Sequence, residues 1–343
     1  MRDLFRVDFS GFFKNLFFSI IGTALILCFV FLAYSLVFNF VTANPNKTKS
    51  ILDKSTLYTQ FSALLYDQSI REVDGGEESI LKKPEVRRIA LDVYDSGFAK
   101  SSTENIIDGL YGWLEGNKKQ PPDLSIDLNE KNKEFAARLG KYAQKRAEKL
   151  PVCTASDVRT LEDVDILKAE CLPPGISPAE IKREAEKLPS VKNMAILDEG
   201  GPEKKQDSSS SIGQSNLPQT FMAAKSMAVA FLIIAAVLSA IILYLSKDLV
   251  SGLKRLSRIS LGAGILNAIM PIVFLAGGTA LINSIEGEAQ IKNIAQSLLK
   301  EFMAEASKVY YGVAVSLFII AAGLYLYSMN RETKTDKIGK IKD

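Results

Sequence analysis

Apolar and polar positions are not mixed evenly along this chain; they fall into blocks. Stretches free of Asp, Glu, Lys and Arg run from Asn15 to Asn46, Ser226 to Ser246, Ile259 to Ile285 and Val309 to Asn330. A helix needs roughly 20 apolar residues to cross a hydrocarbon core, and every block meets that length. The pattern predicts transmembrane helices over residues 16–42, 219–246, 259–283 and 309–330. Core helices of a soluble protein would be shorter and broken by charge. The first run, Leu16 to Val41, is also far longer than the roughly 7–15 residues of a secretory signal's apolar core. It reads as an uncleaved signal anchor, although Val41-Thr42-Ala43 would pass as a cleavage site.

Residues 43–199 carry shorter, mostly helical periodicities. After a break at Asn44-Pro45-Asn46, Leu57, Phe61, Leu64 and Leu65 recur at helical spacing in a segment from Ile51 to Ile70, which Asp74-Gly75-Gly76 ends. Val86, Ile89, Ala90 and Val93 share one face of a second helix over 84–95. Ser101 and Glu104 have the spacing of a capping box opening a third, with Ile107, Leu110 and Trp113 on it and Gly116 as its C-cap. Leu124, Ile126 and Leu128 alternate with polar residues, a short strand signal. Asn129 is placed to cap a long helix to Leu150 with Phe135, Leu139 and Tyr142 as its stripe, and Ser177-Pro178-Ala179-Glu180 is a strong helix start. Residues 200–218 are rich in Ser, Gly and charge and read as a flexible linker.

The remaining segments belong to the membrane part. Residues 1–15 are weakly amphipathic, fitting either an interfacial helix or a plain tail. In residues 284–308, Ile291, Ile294, Leu298 and Phe302 share a face. That segment either lies on the outer leaflet or packs under the outer domain as a continuation of the fourth span, and packing is the favoured expectation. Small residues recur at four-residue spacing in Ala224/Ala228, Ala235/Ser239, Gly264/Ala268 and Gly312/Ser316, which lets helices approach closely within the chain or between copies. Pro271 should kink the third span. The expected fold is an all-α membrane protein: four transmembrane helices with a mainly helical extracytoplasmic domain and room for one short strand pair.

Charge gives this architecture a direction. Residues 1–15, 247–258 and 331–343 together hold 12 Lys/Arg against 6 Asp/Glu, whereas residues 43–220 hold 26 against 29 and residues 284–308 hold 3 against 4. Lys and Arg are retained on the cytoplasmic side. One topology satisfies every block: both termini and the 247–258 loop in the cytoplasm, the 43–199 domain and the 284–308 segment outside, in a cell membrane. Lys247, Lys254, Arg255 and Arg258 act as topology determinants in that loop. The bilayer is then one partner, a protein outside the cytoplasm another, and a further copy of the chain a third; nothing in the pattern indicates nucleic acid.

The available chemistry narrows the classes further. The chain has no histidine, so a Ser-His-Asp or Cys-His site, a His-ligated metal and a His proton shuttle are excluded. No Gly-rich phosphate loop occurs. The acidic runs Glu162–Asp165 and Asp74–Glu78 lack the regular spacing of a calcium loop and read as solvated charge. No metal, cofactor or catalytic residue is assigned, and the chain reads as non-enzymatic. Cys28 lies within the first span. Cys153 and Cys171 both fall in the outer domain, where oxidising surroundings permit a disulfide; two separate thiols is the alternative.

Two resemblances accompany these readings. Leu110-Tyr111-Gly112-Trp113-Leu114-Glu115-Gly116, Leu124-Ser125-Ile126-Asp127-Leu128, Leu150-Pro151-Val152-Cys153-Thr154 and Cys171-Leu172-Pro173-Pro174 resemble a group of bacterial membrane-anchored proteins of unknown function, over about 60 residues. That resemblance implies the cysteine pair as a family feature and brings no activity. One span, a large outer domain and three further spans also look like the permease subunits of mechanotransmitting ABC systems, which would imply a coupling site for an ATPase in the 247–258 loop. Here Lys254-Arg255-Leu256-Ser257-Arg258-Ile259 departs from the Arg-x-x-Glu-Ile-Gly-like stretch of that family, so topology alone carries the likeness. The leading expectation is an envelope scaffold or sensor that binds a partner through its outer domain, with a transport subunit as the alternative. In intact cells, a membrane-impermeant thiol reagent is expected to label a cysteine introduced at Ser209 and not one at Ser251; the reverse pattern overturns the orientation.

Overall fold

A computed structural model of the chain describes residues 9–72, 83–154, 169–187, 216–284 and 289–339. Residues 1–8, the Asp74-Gly75-Gly76 stop, the acidic run Glu162–Asp165, residues 200–215 of the linker and the tail's last four residues lie outside them. The described residues are all-α, in ten α-helices, and divide into two compact units: residues 1–55 with 216–343, and residues 56–215.

The first unit is a bundle of four long helices. Helix α1 spans Phe9–Val37 and continues through a π-helical turn, Phe38–Thr42, closed by Ala43 N–H donating to the Phe38 carbonyl at 2.6 Å. The short helix α2, Pro45–Lys54, follows immediately. Asn44 caps it by accepting from the backbone N–H groups of Asn46 and Lys47, and Pro45 stands where its missing N–H costs nothing. The expected break at Asn44-Pro45-Asn46 is therefore a helix start. Helices α8 (Leu217–Leu245), α9 (Leu249–Ser284) and α10 (Ala289–Gly339) complete the bundle. Helix α9 begins inside the basic segment 247–258 and runs through Pro271, while α10 joins the amphipathic segment to the fourth apolar block in one 51-residue helix.

Four helices of this unit are long and apolar enough to cross a membrane: Leu16–Thr42, Leu217–Leu245, Leu249–Ser284 and Ala289–Arg331. Their outward faces are apolar as well. Leu232, Ile233, Ile234 and Val237 on α8, and Ile272, Val273, Phe274 and Leu275 on α9, are all exposed. Water does not tolerate a contiguous apolar surface of that extent on a monomer, whereas lipid does.

Close contacts fix the bundle's register. Helices α9 and α10 run antiparallel: a Cβ on Gly264 would stand 2.6 Å from the Phe318 ring and 3.3 Å from the Ala314 carbonyl, and the Ser257 hydroxyl donates to the Ala321 carbonyl at 2.8 Å. Helices α1 and α8 are tied by the buried Cys28 thiol donating to Phe231 O at 3.1 Å, by Asn39 Nδ2 donating to Lys225 O at 3.1 Å, and by the stacked rings of Phe31 and Phe231. Asn39 thus spends its amide on a bond between helices, which lipid cannot supply. Asn267 does not: it is fully buried, its Nδ2 donates within its own helix to Ala263 O, and its Oδ1 has no partner among the described residues.

The second unit holds α3 (Leu57–Glu72), α4 (Pro84–Val93), α5 (Ser96–Leu114), α6 (Asn129–Ala147) and α7 (Pro178–Glu186). Ser55 and Thr56 separate α3 from α2, so the segment expected as one helix is two. Helix α5 opens at Asp95, whose carboxylate accepts from Phe98 N–H, and not at Ser101, which lies a full turn inside it. Helix α6 starts beside Asp127, which accepts from Asn129 N–H, so Asn129 itself caps nothing. Helix α7 has the complete Ser177–Glu180 capping box. Those bonds, from the Ser177 backbone first and its hydroxyl second, hold the Glu180 carboxyl below its ordinary value.

No strand forms among the described residues; Leu124–Leu128 is irregular chain, and only one isolated parallel bridge, Val152 to Leu172, is present. The core gathers Tyr66, Val86, Ala90, Val93, Tyr94, Leu128, Phe135, Leu139, Ala143 and Ile181. Tyr94 donates to Asn132 Oδ1 at 2.5 Å inside it, and burial pushes the Tyr94 phenol well above its usual range. Gly140 lets α7 approach α6, since a Cβ there would lie 2.7 Å from Glu186 Cγ and 3.0 Å from the Lys182 carbonyl. Trp113, buried in α5, is the chain's only tryptophan, so its emission reports on this unit alone. Phe135→Ala is expected to cost about 3–5 kcal/mol and to lower the urea midpoint read from Trp113, while Leu124→Ala, at an exposed position, leaves that midpoint within about 0.5 kcal/mol of the parent.

Candidate functional site

The basic residues singled out in the sequence gather at one end of the bundle. Lys247 lies in the three-residue link between α8 and α9, and Lys254, Arg255 and Arg258 lie on the first turns of α9. Arg255 stacks its guanidinium 3.9 Å from the centroid of the Phe18 ring, a cation–π contact that also covers the aromatic face. Asp248 opens α9. Hydrogen bonds from the Ser251 hydroxyl, then from its backbone N–H, hold the Asp248 carboxyl below its ordinary value.

The opposite end of the bundle carries a cluster that the sequence did not reveal. Glu305, on α10, has a side chain only 8% exposed, yet it is surrounded by lysines: Lys308 Nζ at 2.7 Å, Lys47 Nζ at 2.9 Å and Lys54 Nζ at 3.5 Å. Lys47 and Lys54 stand seven residues apart, two turns along one face of α2. Between them Ile51 packs with Val41, Met303, Ala306 and Tyr310. Three cations meet one carboxylate, and the lysine heads reach water while the carboxylate does not.

The two charged ends are separated by a membrane's worth of helix. From Phe18, beneath Arg255, to Asn39, bonded to Lys225 O, is 21 residues of α1 and its π-turn. At 1.5 Å per residue that is about 31 Å, close to the roughly 30 Å of a hydrocarbon core.

Between the ends lies an apolar groove with a volume of ≈ 710 Å³. Phe29, Leu32 and Leu36 of α1, with Phe40 of its π-turn, form one wall. Leu232, Ala235, Ala236 and Ser239 of α8 form another, and Val309, Gly312, Val313, Ser316, Leu317, Ile320 and Leu324 of α10 face them. Leu256 and Ser260 of α9, both buried, floor it. The small residues at four-residue spacing thus divide in role. Gly264 seats a neighbouring ring, whereas Gly312 has no atom near where its Cβ would stand, and Ser316 is exposed; both open onto the groove.

In the second unit, the two cysteines are bonded: Cys153 and Cys171 have S–S 2.02 Å and Cα–Cα 5.0 Å. Beside them, Cys153 N–H donates to Leu172 O at 2.9 Å and Leu172 N–H to Pro151 O at 2.7 Å. This short double staple holds Val152 outward at 66% exposure.

Replacing Glu305 by Gln removes the carboxylate charge that Lys47, Lys54 and Lys308 share. Glu305→Gln is expected to lower the thermal midpoint of the full chain in detergent at low salt. The gap to the parent should narrow in 1 M salt, where screening extends over about 3 Å; equal midpoints at low salt would refute the cluster's stabilising role. Comparison of the chain with known protein families, with curated proteins and with solved structures finds no match.

Proposed function

We propose that this chain is a membrane-anchored scaffold or sensor of a bacterial cell envelope, which holds its second unit outside the cytoplasm and binds a protein partner through it. The Lys/Arg excess in residues 1–15, 247–258 and 331–343 supports a cytoplasmic side for both termini and the α8–α9 link. A disulfide in the second unit accords with an oxidising exterior.

The observation that carries the partner reading is Val152. An apolar side chain fully exposed on a mobile loop contributes little to recognition, because ordering it on binding offsets the area buried. Val152 is instead fixed beforehand by a disulfide and two backbone hydrogen bonds. A pre-ordered apolar side chain offers a partner contact area at little ordering cost.

A photoreactive amino acid at position 152 of the full chain, activated in intact cells, is expected to give one discrete adduct. The same residue at Lys133, on the polar side of α6, should give none. Absence of a discrete adduct at 152, or equal adducts at both positions, would refute recognition through this loop.

A further inference from the structure

We propose that the partner met at Val152 presents an acidic polypeptide segment, and that this segment docks on Lys141, Lys145 and Lys149 at the C-terminal end of α6. The proposal rests on the partner reading of Val152 and adds the chemistry of that partner.

Charge in this unit is segregated. From Arg138 to Lys149 the chain holds five cations against one anion, Glu148, a net +4. Taking that stretch out of residues 43–220, which hold 26 Lys/Arg and 29 Asp/Glu, leaves 21 against 28. Two of the five cations are engaged: Arg138 pairs with Glu134 at 2.6 Å, and Arg146 donates to Ala169 O at 3.3 Å. Lys141, Lys145 and Lys149 are exposed and form no ion pair among the described residues. Glu148 accepts instead from Gln144 Nε2 at 3.2 Å.

The three lysines stand four residues apart and so form one row. Lys149 N–H donates to Arg146 O at 3.0 Å and Leu150 N–H to Ala147 O at 3.1 Å. The turn after α6 thus stays wound, and Lys149 continues the row. Like charges at this spacing repel. A helix dipole favours cations only within its last turn, and Lys141 stands six residues before Ala147, where α6 ends. An anion supplied from outside relieves the repulsion.

The row runs towards Val152. Lys149 and Val152 are three residues apart, at most about 11 Å of chain. Lys141 lies about 12 Å of helix before Lys149. Lys141 and Val152 are therefore within about 23 Å of each other, less than the roughly 30 Å breadth of the 800 Å² patch that a standard interface covers on each partner. One partner can meet both.

The shape of the row selects a polypeptide over a bilayer surface. Glu130, Glu134 and Glu148 share the outward side of α6 but flank the row. A plane of anionic headgroups laid on the helix would meet those carboxylates too, whereas a narrow segment following the lysines avoids them. Ala137 is the only exposed apolar residue of α6, so the helix presents no bulky side chain to insert into lipid. Alternate residues of an extended segment are about 6.6 Å apart, close to the roughly 6 Å rise between these lysines. Acidic residues at alternate positions fit the row.

The test uses the full chain in intact cells, with the photoreactive residue at position 152. Lys141→Glu with Lys145→Glu is expected to lower the discrete adduct at least tenfold. Lys119→Glu with Lys133→Glu makes the same charge change at exposed lysines off the row and should leave the adduct within twofold of the parent, as should Lys141→Arg with Lys145→Arg. The urea midpoint read from Trp113 should be equal in both Glu variants, so that a lost adduct reports docking and not folding. Lys141→Gln with Lys145→Gln should lower the adduct at least threefold, and it decides the matter if the Glu pair lowers that midpoint. With all lysines intact, the photoreactive residue at Glu148 is expected to give an adduct of the same size as at 152. An adduct that survives loss of the Lys141 and Lys145 charges overturns the acidic segment and leaves the partner reading of Val152 standing. Equal losses from the two charge-reversed pairs also overturn it. So does a protein adduct at 152 with only lipid captured at 148, which would give the row to a membrane surface. No adduct at 152 in the parent removes the partner reading and this proposal with it.

Discussion

A bilayer interior offers no partner to a charge or an unpaired polar group, and that constraint keeps charged side chains out of the four long apolar runs. Arg255 takes its place over Phe18 at one end, and Glu305 with its lysines at the other. Between these levels the polar side chains that do occur are mostly spent on backbone carbonyls: Ser257 on Ala321, Asn39 on Ser35 and Lys225, Ser316 on Gly312. With no charge to pair in the interior, the helices are held by fit. Gly264 under Phe318 shows how that fit is made, by removing a side chain where another must enter.

The second unit obeys a different solvent. Its helices are shorter than those of the bundle, α5 and α7 are capped by local side chains, and the core gathers around Phe135 and Leu139, as an aqueous domain requires. The disulfide closes the chain where burial is poor: Val152 faces outward, and both half-cystines are only partly covered. Packing and covalent constraint thus serve separate parts of the same unit.

Much of this was legible in the sequence, for physical reasons. Long charge-free runs can only be satisfied as membrane helices, so the four spans were visible as runs. The capping box at Ser177–Glu180 is a local device and was read locally. Other local signals failed because a stronger competitor stood nearby. Asp95 displaced Ser101 as the cap of α5, and Asp127 displaced Asn129 at α6. The alternation of Leu124, Ile126 and Leu128 did not set a core-facing side, since Leu128 is buried, Ile126 half-buried and Leu124 exposed, and among the described residues no strand pairs with it. Small residues at four-residue spacing were read as contact, yet the same spacing lines a groove on α10. What could not be read at all was the convergence of Lys47 and Lys54 on Glu305, some 250 residues away, because nothing in any of the three segments records the others.

That convergence has a mechanical meaning. The chain leaves the bundle for the second unit at Ser55–Thr56, directly after α2. Tension applied to the backbone there is carried by the chain from α2 into α1, and the Lys47 and Lys54 contacts with Glu305 bring α10 alongside that path. Holding α2 against α10 therefore depends on charge pairs that reach water as well as on the apolar contacts of Ile51 between them.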